Sequence, residues 1–442
     1  MATQVVRERD SADVVFPRSF RAGLIVFVVA LLLRLLVVLV CAVHPDVPGM
    51  SYIFRPLAIE GGDASDYDTL ASNLVAGNGY RENEGVSARQ PVFPLMLAAI
   101  YIVSDQPAVT LAVVYAFLGA ITAVLCWWLL APYAAPRFAF VGGVLAGIDP
   151  QSLREMVRVA QEPLMTLLVV VAVVLHVRAG RSHRLPGVAV AGASVALAYL
   201  CRSPFLAFVP FGLWWLIWRQ GPGLRAGLQM AALYLIGFGL VASPWWVRNA
   251  VVGGEAAVLT SSADGIMWRW ANGPLARAVW EDPSRGDHEG LGRENLRIYY
   301  PQRERELRES RGLSVEEARR EATEEAKQWL LRHPGRYPML AASRFLVMWQ
   351  LWPTPPPPVL FFGLLWLCYL VSVFGAVRGW RDFPEARLFV AVILTFVLVH
   401  VATHAIPRYR FSAMPFVWLF FAYGLQGVWG RMRHKPGERD EA

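Results

Sequence analysis

The chain has 442 residues, 55% of them hydrophobic and only 17% charged, with a mean hydropathy of +0.39. That balance excludes an ordinary soluble domain and indicates an integral membrane protein. The net charge of +8 sits largely in arginine-rich ends and short loops, which suits a membrane surface and a topology signal rather than nucleic acid.

Residues 22–43 form an apolar run of the length needed to cross the hydrocarbon core as a helix. The run is too long for a signal-peptide core and is closed by no small-x-small site. Arg34 interrupts it midway and is expected to face protein or snorkel. Further apolar segments fall at about 91–104, 107–131, 137–150, 161–178, 186–218, 226–247, 336–352, 358–379, 385–405 and 411–429. The segment 186–218 is long enough for two spans, broken near Arg202-Ser203-Pro204. The fold class expected is an all-α polytopic membrane protein of about 11–13 transmembrane helices, with a small extracytoplasmic insertion.

Basic residues precede the first span (Arg7, Arg9, Arg18, Arg21) and occupy 178–184, 219–225, 378–387 and 431–435. These are expected to be cytoplasmic. The chain then divides into a cytoplasmic tail 1–21, a transmembrane core 22–249 with an outer loop 44–90, an outer charged subdomain 250–335, terminal helices 336–430 and a cytoplasmic tail 431–442. Parity does not close: three apolar segments separate the Asp63 loop from Glu162, which should lie on the same face, so 91–104 or 137–150 should fail to span. The segment 336–352 is expected to lie in the interface or re-enter. Residues 250–335 carry 15 acidic and 13 basic residues, which marks a water-exposed insertion. Within it Ser314 and Glu317 make a capping-box signature, and His333-Pro334-Gly335 stops the helix that follows.

The four cysteines, Cys41, Cys126, Cys201 and Cys368, lie far apart in or beside apolar segments and suggest neither a disulfide framework nor a metal cluster. No phosphate-loop, dinucleotide, HExxH or GxSxG signature stands out, so energy must arrive with the substrate. No cofactor and no metal ligand set is indicated, and a divalent cation stays open.

The residues that could carry chemistry collect at one predicted face. Asp63, Tyr67, Leu70, Ala71 and Leu74, followed by Gly77 and Gly79, suit a short interfacial helix closed by a glycine cap. Asp63 there could accept a proton from an acceptor hydroxyl; a carboxylate that merely favours the helix start is the plain alternative for Asp63 and Asp66. Arg89-Gln90-Pro91 opens the next apolar segment, and Glu162 begins another helix at the same face. Arg202, Arg248, Arg408 and Arg410 sit at outer helix ends, where guanidinium groups can fork onto phosphate oxygens. Contact with phospholipid headgroups explains any one of them alone. Most of the 17 tryptophans read as an interfacial belt, and core packing is the plainer reading of Trp268-Arg269-Trp270, with stacking on a sugar or isoprene unit as its alternative.

Taken in order, Asp63-Ala64-x-x-Tyr67-x-x-x-Ala71-x-x-Leu74-x-x-Gly77-x-Gly79-Tyr80, Arg89-x-Pro91-x-x-Pro94, Glu162, Pro244-Trp245-x-x-Arg248-Asn249, the helix end at 326–334 and His404-x-x-x-Arg408-Tyr409-Arg410 resemble the GT-C membrane glycosyltransferases. The resemblance is to bacterial relatives of the protein O-mannosyltransferases and aminoarabinose transferases (glycosyltransferase family 39-like), and it runs over nearly the whole chain. It departs at Arg89-Gln90-Pro91, where that family often has Arg-Pro-Pro, and at Asp63-Ala64, where the protein mannosyltransferases have Asp-Glu. What it implies is a polyprenyl-phosphate-linked sugar donor and an extracytoplasmic acceptor hydroxyl on a lipid, glycan or protein. Asp63 would be the catalytic acid group of the first loop, with Glu162 beside it, and Asp66, Tyr67, Arg89, Arg202, Arg248, His404, Arg408, Tyr409 and Arg410 would bind substrate. The implied location is a multi-pass cell membrane protein, in a bacterial inner membrane, with the site facing outward. A transporter or flippase of lipid-linked sugars is the rival from another class.

Overall fold

A computed structural model describes residues 20–43, 63–252 apart from 83, 84, 88, 157, 183 and 222, the positions 272, 278, 280 and 281, and residues 303–351 and 359–433. Trp268, Trp270, the tail arginines Arg7, Arg9 and Arg18 and the proline run 353–358 lie outside the described residues, while Arg21 falls in the first helix.

Helix α1 (Phe20–Val43) is followed by the short α2 (Asp63–Val75), a two-stranded antiparallel hairpin of β1 (Arg81–Glu82) and β2 (Gly85–Val86), α3 (Val92–Val103), α4 (Pro107–Leu130), α5 (Pro136–Gly147) and α6 (Pro150–Glu155). Next come α7 (Glu162–Ser182), α8 (Leu185–Tyr199), a 3-10 turn (Ser203–Phe208), α9 (Val209–Gln220) and α10 (Leu224–Val252). The chain ends with α11 (Val315–Arg332), α12 (Arg336–Met348), α13 (Val359–Asp382), α14 (Glu385–Ala402), a 3-10 turn (Pro407–Ala413) and α15 (Met414–Arg433).

Among the described residues, seven helical stretches are long and apolar enough to cross a membrane, namely α1, α4, α7, α10, α13, α14 and the stretch 407–432 containing α15. The remaining apolar segments fold as helices of 12–15 residues, so the sequence tally of 11–13 includes pieces shorter than a regular span. Twelve residues of helix reach about 18 Å, well short of a core of about 30 Å.

One of these short pieces accounts for the parity difficulty. At its start the Val92 amide donates to the Leu200 carbonyl (3.1 Å), and near its end the Tyr101 hydroxyl donates to Asp68 of α2 (2.5 Å). Both ends of α3 are therefore tied to the same end of the bundle, and α3 does not cross. Helix α4 crosses one way, and α5 with α6 forms a broken return that delivers Glu162 beside Asp63.

Arg34 faces protein, as a mid-span charge requires. It is 2% exposed and donates to the carbonyls of Gly147 (2.5 Å) and Tyr115 (3.2 Å) and to the Ser152 hydroxyl. Gly119 makes room for it, since a Cβ there would stand 2.0 Å from the guanidinium carbon. At the far end of the bundle, Arg181 pairs with Glu385 (2.8 Å), and Tyr133 donates to the same carboxylate (2.6 Å). The capping box at Ser314 and Glu317 forms as the sequence predicts.

Candidate functional site

The site begins with the way α2 is closed. Gly77 and Gly79 both take left-handed backbones, with φ of 78° and 79°, which a β-carbon would strain. They turn the chain into the hairpin, and the Asn73 side chain fastens that turn by donating to the Arg81 carbonyl (2.8 Å). The Tyr80 hydroxyl donates to the carbonyls of Arg89 and Gln90, both at 3.1 Å, which fixes the path back to α3. Arg89 is thereby aimed at the first turn of α2. Its Nη1 lies 3.3 Å from Asp63, its Nε 3.1 Å from Glu82, and its Nη2 pairs with Asp66.

Three further segments reach the same place. Glu162 opens α7 just before Pro163, where a helix N-terminus favours a carboxylate. Arg202 sits in extended backbone (φ −155°) ahead of the 3-10 turn that breaks the long segment 186–218. Arg408 enters from the 3-10 turn between α14 and α15. Arg202 pairs with Glu162 at 3.0 Å; Arg408 pairs with Glu162 at 3.3 Å and closes onto the second oxygen of Asp63. The result is an alternating chain, Arg89 to Asp63 to Arg408 to Glu162 to Arg202, drawn from five parts of the sequence.

Its members differ in burial. The Glu162 side chain is 3% exposed, whereas Asp63 keeps 32% of its side-chain surface and Arg408 28%. A carboxylate as deep as Glu162 needs its arginines, because an unpaired buried charge costs several kcal/mol. Burial pushes the Asp63 carboxyl up, but the guanidinium groups of Arg408, Arg89 and Arg202 outweigh it and bring the carboxyl down to about 2. Burial first, then the charges of Arg344 and Arg408, lowers the His404 imidazole to about 4.

Aromatic rings set the positions of these charges. Tyr67 is buried edge-on against Phe93 (4.9 Å), with the Arg89 guanidinium 5.5 Å from its centre. The Tyr409 ring carries the Arg202 guanidinium at 4.5 Å, His400 stacked at 4.3 Å and His404 edge-on at 5.8 Å. The structure thus brings together Asp63, Asp66, Tyr67, Arg89, Glu162, Arg202, His404, Arg408 and Tyr409.

Arg248 and Arg410 stand outside the ion-pair chain. Arg248 donates to the carbonyls of Tyr80 (3.0 Å) and Ser87 and lies over the Trp245 ring (4.8 Å), so it braces the hairpin loop. Arg410 is 5% exposed and donates to the Met348 carbonyl (2.9 Å) and to Gln350 (2.5 Å), holding the end of α12. Sequence reasoning missed Glu82 and His400. Glu82 belongs to a two-residue strand that leaves no periodicity to read, whereas His400 and His404 share a helical i, i+4 spacing that could have flagged the pair.

No family model matches the sequence, and no curated protein matches it. Among solved structures, the chain is similar to the archaeal oligosaccharyltransferase AglB from Archaeoglobus fulgidus in complex with an inhibitory peptide and a dolichol-phosphate. The TM-score is 0.52 at 13% identity, over 93% of this chain and 51% of that one. The fold is of the GT-C type. The apo form of the Archaeoglobus fulgidus oligosaccharyltransferase gives a TM-score of 0.50 at 14% identity, over 95% of this chain and 52% of that one. The chain therefore spans about half the length of these GT-C neighbours, and at such identity the likeness concerns the fold.

Proposed function

We propose that this chain is a membrane glycosyltransferase that moves a sugar from a polyprenyl-phosphate donor to an acceptor hydroxyl outside the cytoplasm, with inversion. The observation that carries this reading is the alternating chain itself. Three arginines converge on two carboxylates at one end of an apolar bundle, and Asp63, the more exposed acid, is held by two of them at once. Described residues of the basic segments meet at the opposite end, where Arg181 pairs with Glu385 and Gln220 donates to the Ala179 carbonyl, which supports an outward-facing site. The similar archaeal enzyme was solved with a dolichol-phosphate, a lipid of the donor class proposed here.

In the reaction, the acceptor oxygen bonds to the anomeric carbon, and the bond from that carbon to the phosphate oxygen breaks. The phosphate leaves with the electron pair, and the acceptor's proton passes to the Asp63 carboxylate. Arg408, Arg89 and Arg202 neutralise the charge gathering on the phosphate, which contributes more to lowering the barrier than proton removal does. Glu162 keeps Arg202 and Arg408 in register and orients sugar or acceptor.

With the site empty, Asp63 is a weak base, because its arginines hold it far below the ordinary carboxylate range. A donor phosphate competes for those same guanidinium groups and frees the carboxylate as it binds. Base strength is thereby coupled to donor occupancy. The test is transfer from radiolabelled polyprenyl-phosphate sugars by purified protein in detergent. Product without a second compartment excludes a transporter, and undiminished turnover in Asp63→Asn removes Asp63 from its role.

A further inference from the structure

The connection from α14 to α15, residues 403–413, carries Arg408 to both acids of the site. Three contacts fix its path. Before it, the buried Arg344 of α12 donates to the carbonyls of Val401 (2.8 Å) and Ala402 (3.3 Å) at the end of α14. Within it, Arg410 reaches the C-terminal end of α12, donating to the Met348 carbonyl (2.9 Å) and to the side-chain oxygen of Gln350 (2.5 Å). Near its close, Thr166 of α7, one helical turn after Glu162, donates to the Ser412 hydroxyl (3.2 Å). Building on the glycosyltransferase reading, we infer that Gln350 is a positioning residue, acting through Arg410 to fix the turn that delivers Arg408 between Asp63 and Glu162.

The backbone of Gln350 carries the argument. Among the described residues it is the one non-glycine with a left-handed conformation, at φ 51°. It stands where α12 closes: its amide donates to the Val347 carbonyl (3.1 Å), and the Leu351 amide donates to the Leu346 carbonyl (2.8 Å). A glycine makes both of those bonds and takes that conformation without strain. What a glycine lacks is the side chain, and here its oxygen is bound to Arg410. A strained backbone that holds a side chain on a charged partner beside the candidate site points to function.

Arg410 depends on that oxygen. It is 5% exposed, and its Nε finds no partner among the described residues, so without Gln350 its guanidinium keeps the Met348 carbonyl alone. Arg410 and Arg408 share one 3-10 turn, and a shift of the first passes through two residues of chain to the second. Helix α12 is a firm support for this grip. Arg344 ties it to α14, and Trp349 packs edge-on against Tyr369 of α13 (5.5 Å).

The experiment separates backbone from side chain in the full protein. Gln350→Gly relieves the strain and removes the oxygen, so its unfolding temperature should hold or rise while kcat at saturating donor falls about tenfold and KM stays within about twofold. Gln350→Met keeps the strained backbone without the oxygen and should lose kcat to the same extent. Gln350→Glu keeps an oxygen for Arg410 and should retain kcat within about twofold of the wild type. Hydrogen exchange in lipid nanodiscs should quicken over residues 403–413 in the glycine and methionine variants and stay unchanged over 336–348. Undiminished kcat in the glycine variant, equal losses in the glutamate and methionine variants, or unchanged exchange over 403–413 overturns the assignment. If the wild type transfers sugar from no donor, the glycosyltransferase reading falls, and hydrogen exchange alone decides whether Gln350 orders the turn.

Discussion

The bundle carries an arginine–carboxylate cluster at each end, built on different plans. At one end Glu385 is 1% exposed, and its two oxygens are taken by Arg181 and by Tyr133, which itself stacks on Phe383. There the carboxylate itself is sealed and both of its oxygens are matched. At the other end Asp63, Arg89 and Arg408 remain partly open, and Arg408 is shared between two acids. A closed pair ties helices together, while an open chain of shared charges leaves an anion somewhere to compete. Opposite plans for the same chemistry distinguish the structural end from the candidate active end.

The sharpest break of that comparison is a swap of consequences. Asp63→Asn should lower transfer about 10³-fold, the scale of a lost general base, with little change in unfolding temperature. Arg408→Met should cost transfer about 10²-fold to 10³-fold, and its turnover should be measured at saturating donor. Glu385→Ala should behave in the opposite way. It leaves the partly exposed Arg181 and the Tyr133 hydroxyl without their shared carboxylate, costs about 2 kcal/mol of stability in a thermal melt, and preserves activity per folded molecule. Equal loss of activity from Glu385→Ala and Asp63→Asn would erase the distinction.

The smallest effects are with pH. His404 is held below its ordinary value, so the unfolded chain takes up the proton first, and stability should fall as pH drops from 6.5 towards 4. His404→Gln should flatten that slope in the detergent-solubilised protein. Asp63 is also depressed, so its contribution is complete above about pH 4 and disappears only as pH falls towards 2. Activity in a neutral buffer should therefore show no titration from Asp63 in the donor-free enzyme.

Much of this was legible because lipid imposes a simple grammar. Hydropathy and length placed α1, α4, α7, α10, α13 and α14 within a few residues of their observed bounds. The break at Arg202 and the glycine closure after Leu74 followed from proline and glycine chemistry. Hydropathy does not report direction, however. It could not tell that α3 lies along the end of the bundle, because that depends on Tyr101 finding Asp68 and Val92 finding Leu200.

The amino-acid sequence by itself determined that the chain lives in a membrane, that its acids and arginines gather near one face, and that Asp63 opens a short helix there. These are consequences of local composition, since burying apolar surface and excluding charge act residue by residue. Only the tertiary structure decided which charges meet. It joined Asp63, Arg408, Glu162 and Arg202 across some 350 residues, and it set Arg248 and Arg410 to bracing backbone. Pairing depends on how helices cross and turn, which no stretch of sequence contains alone.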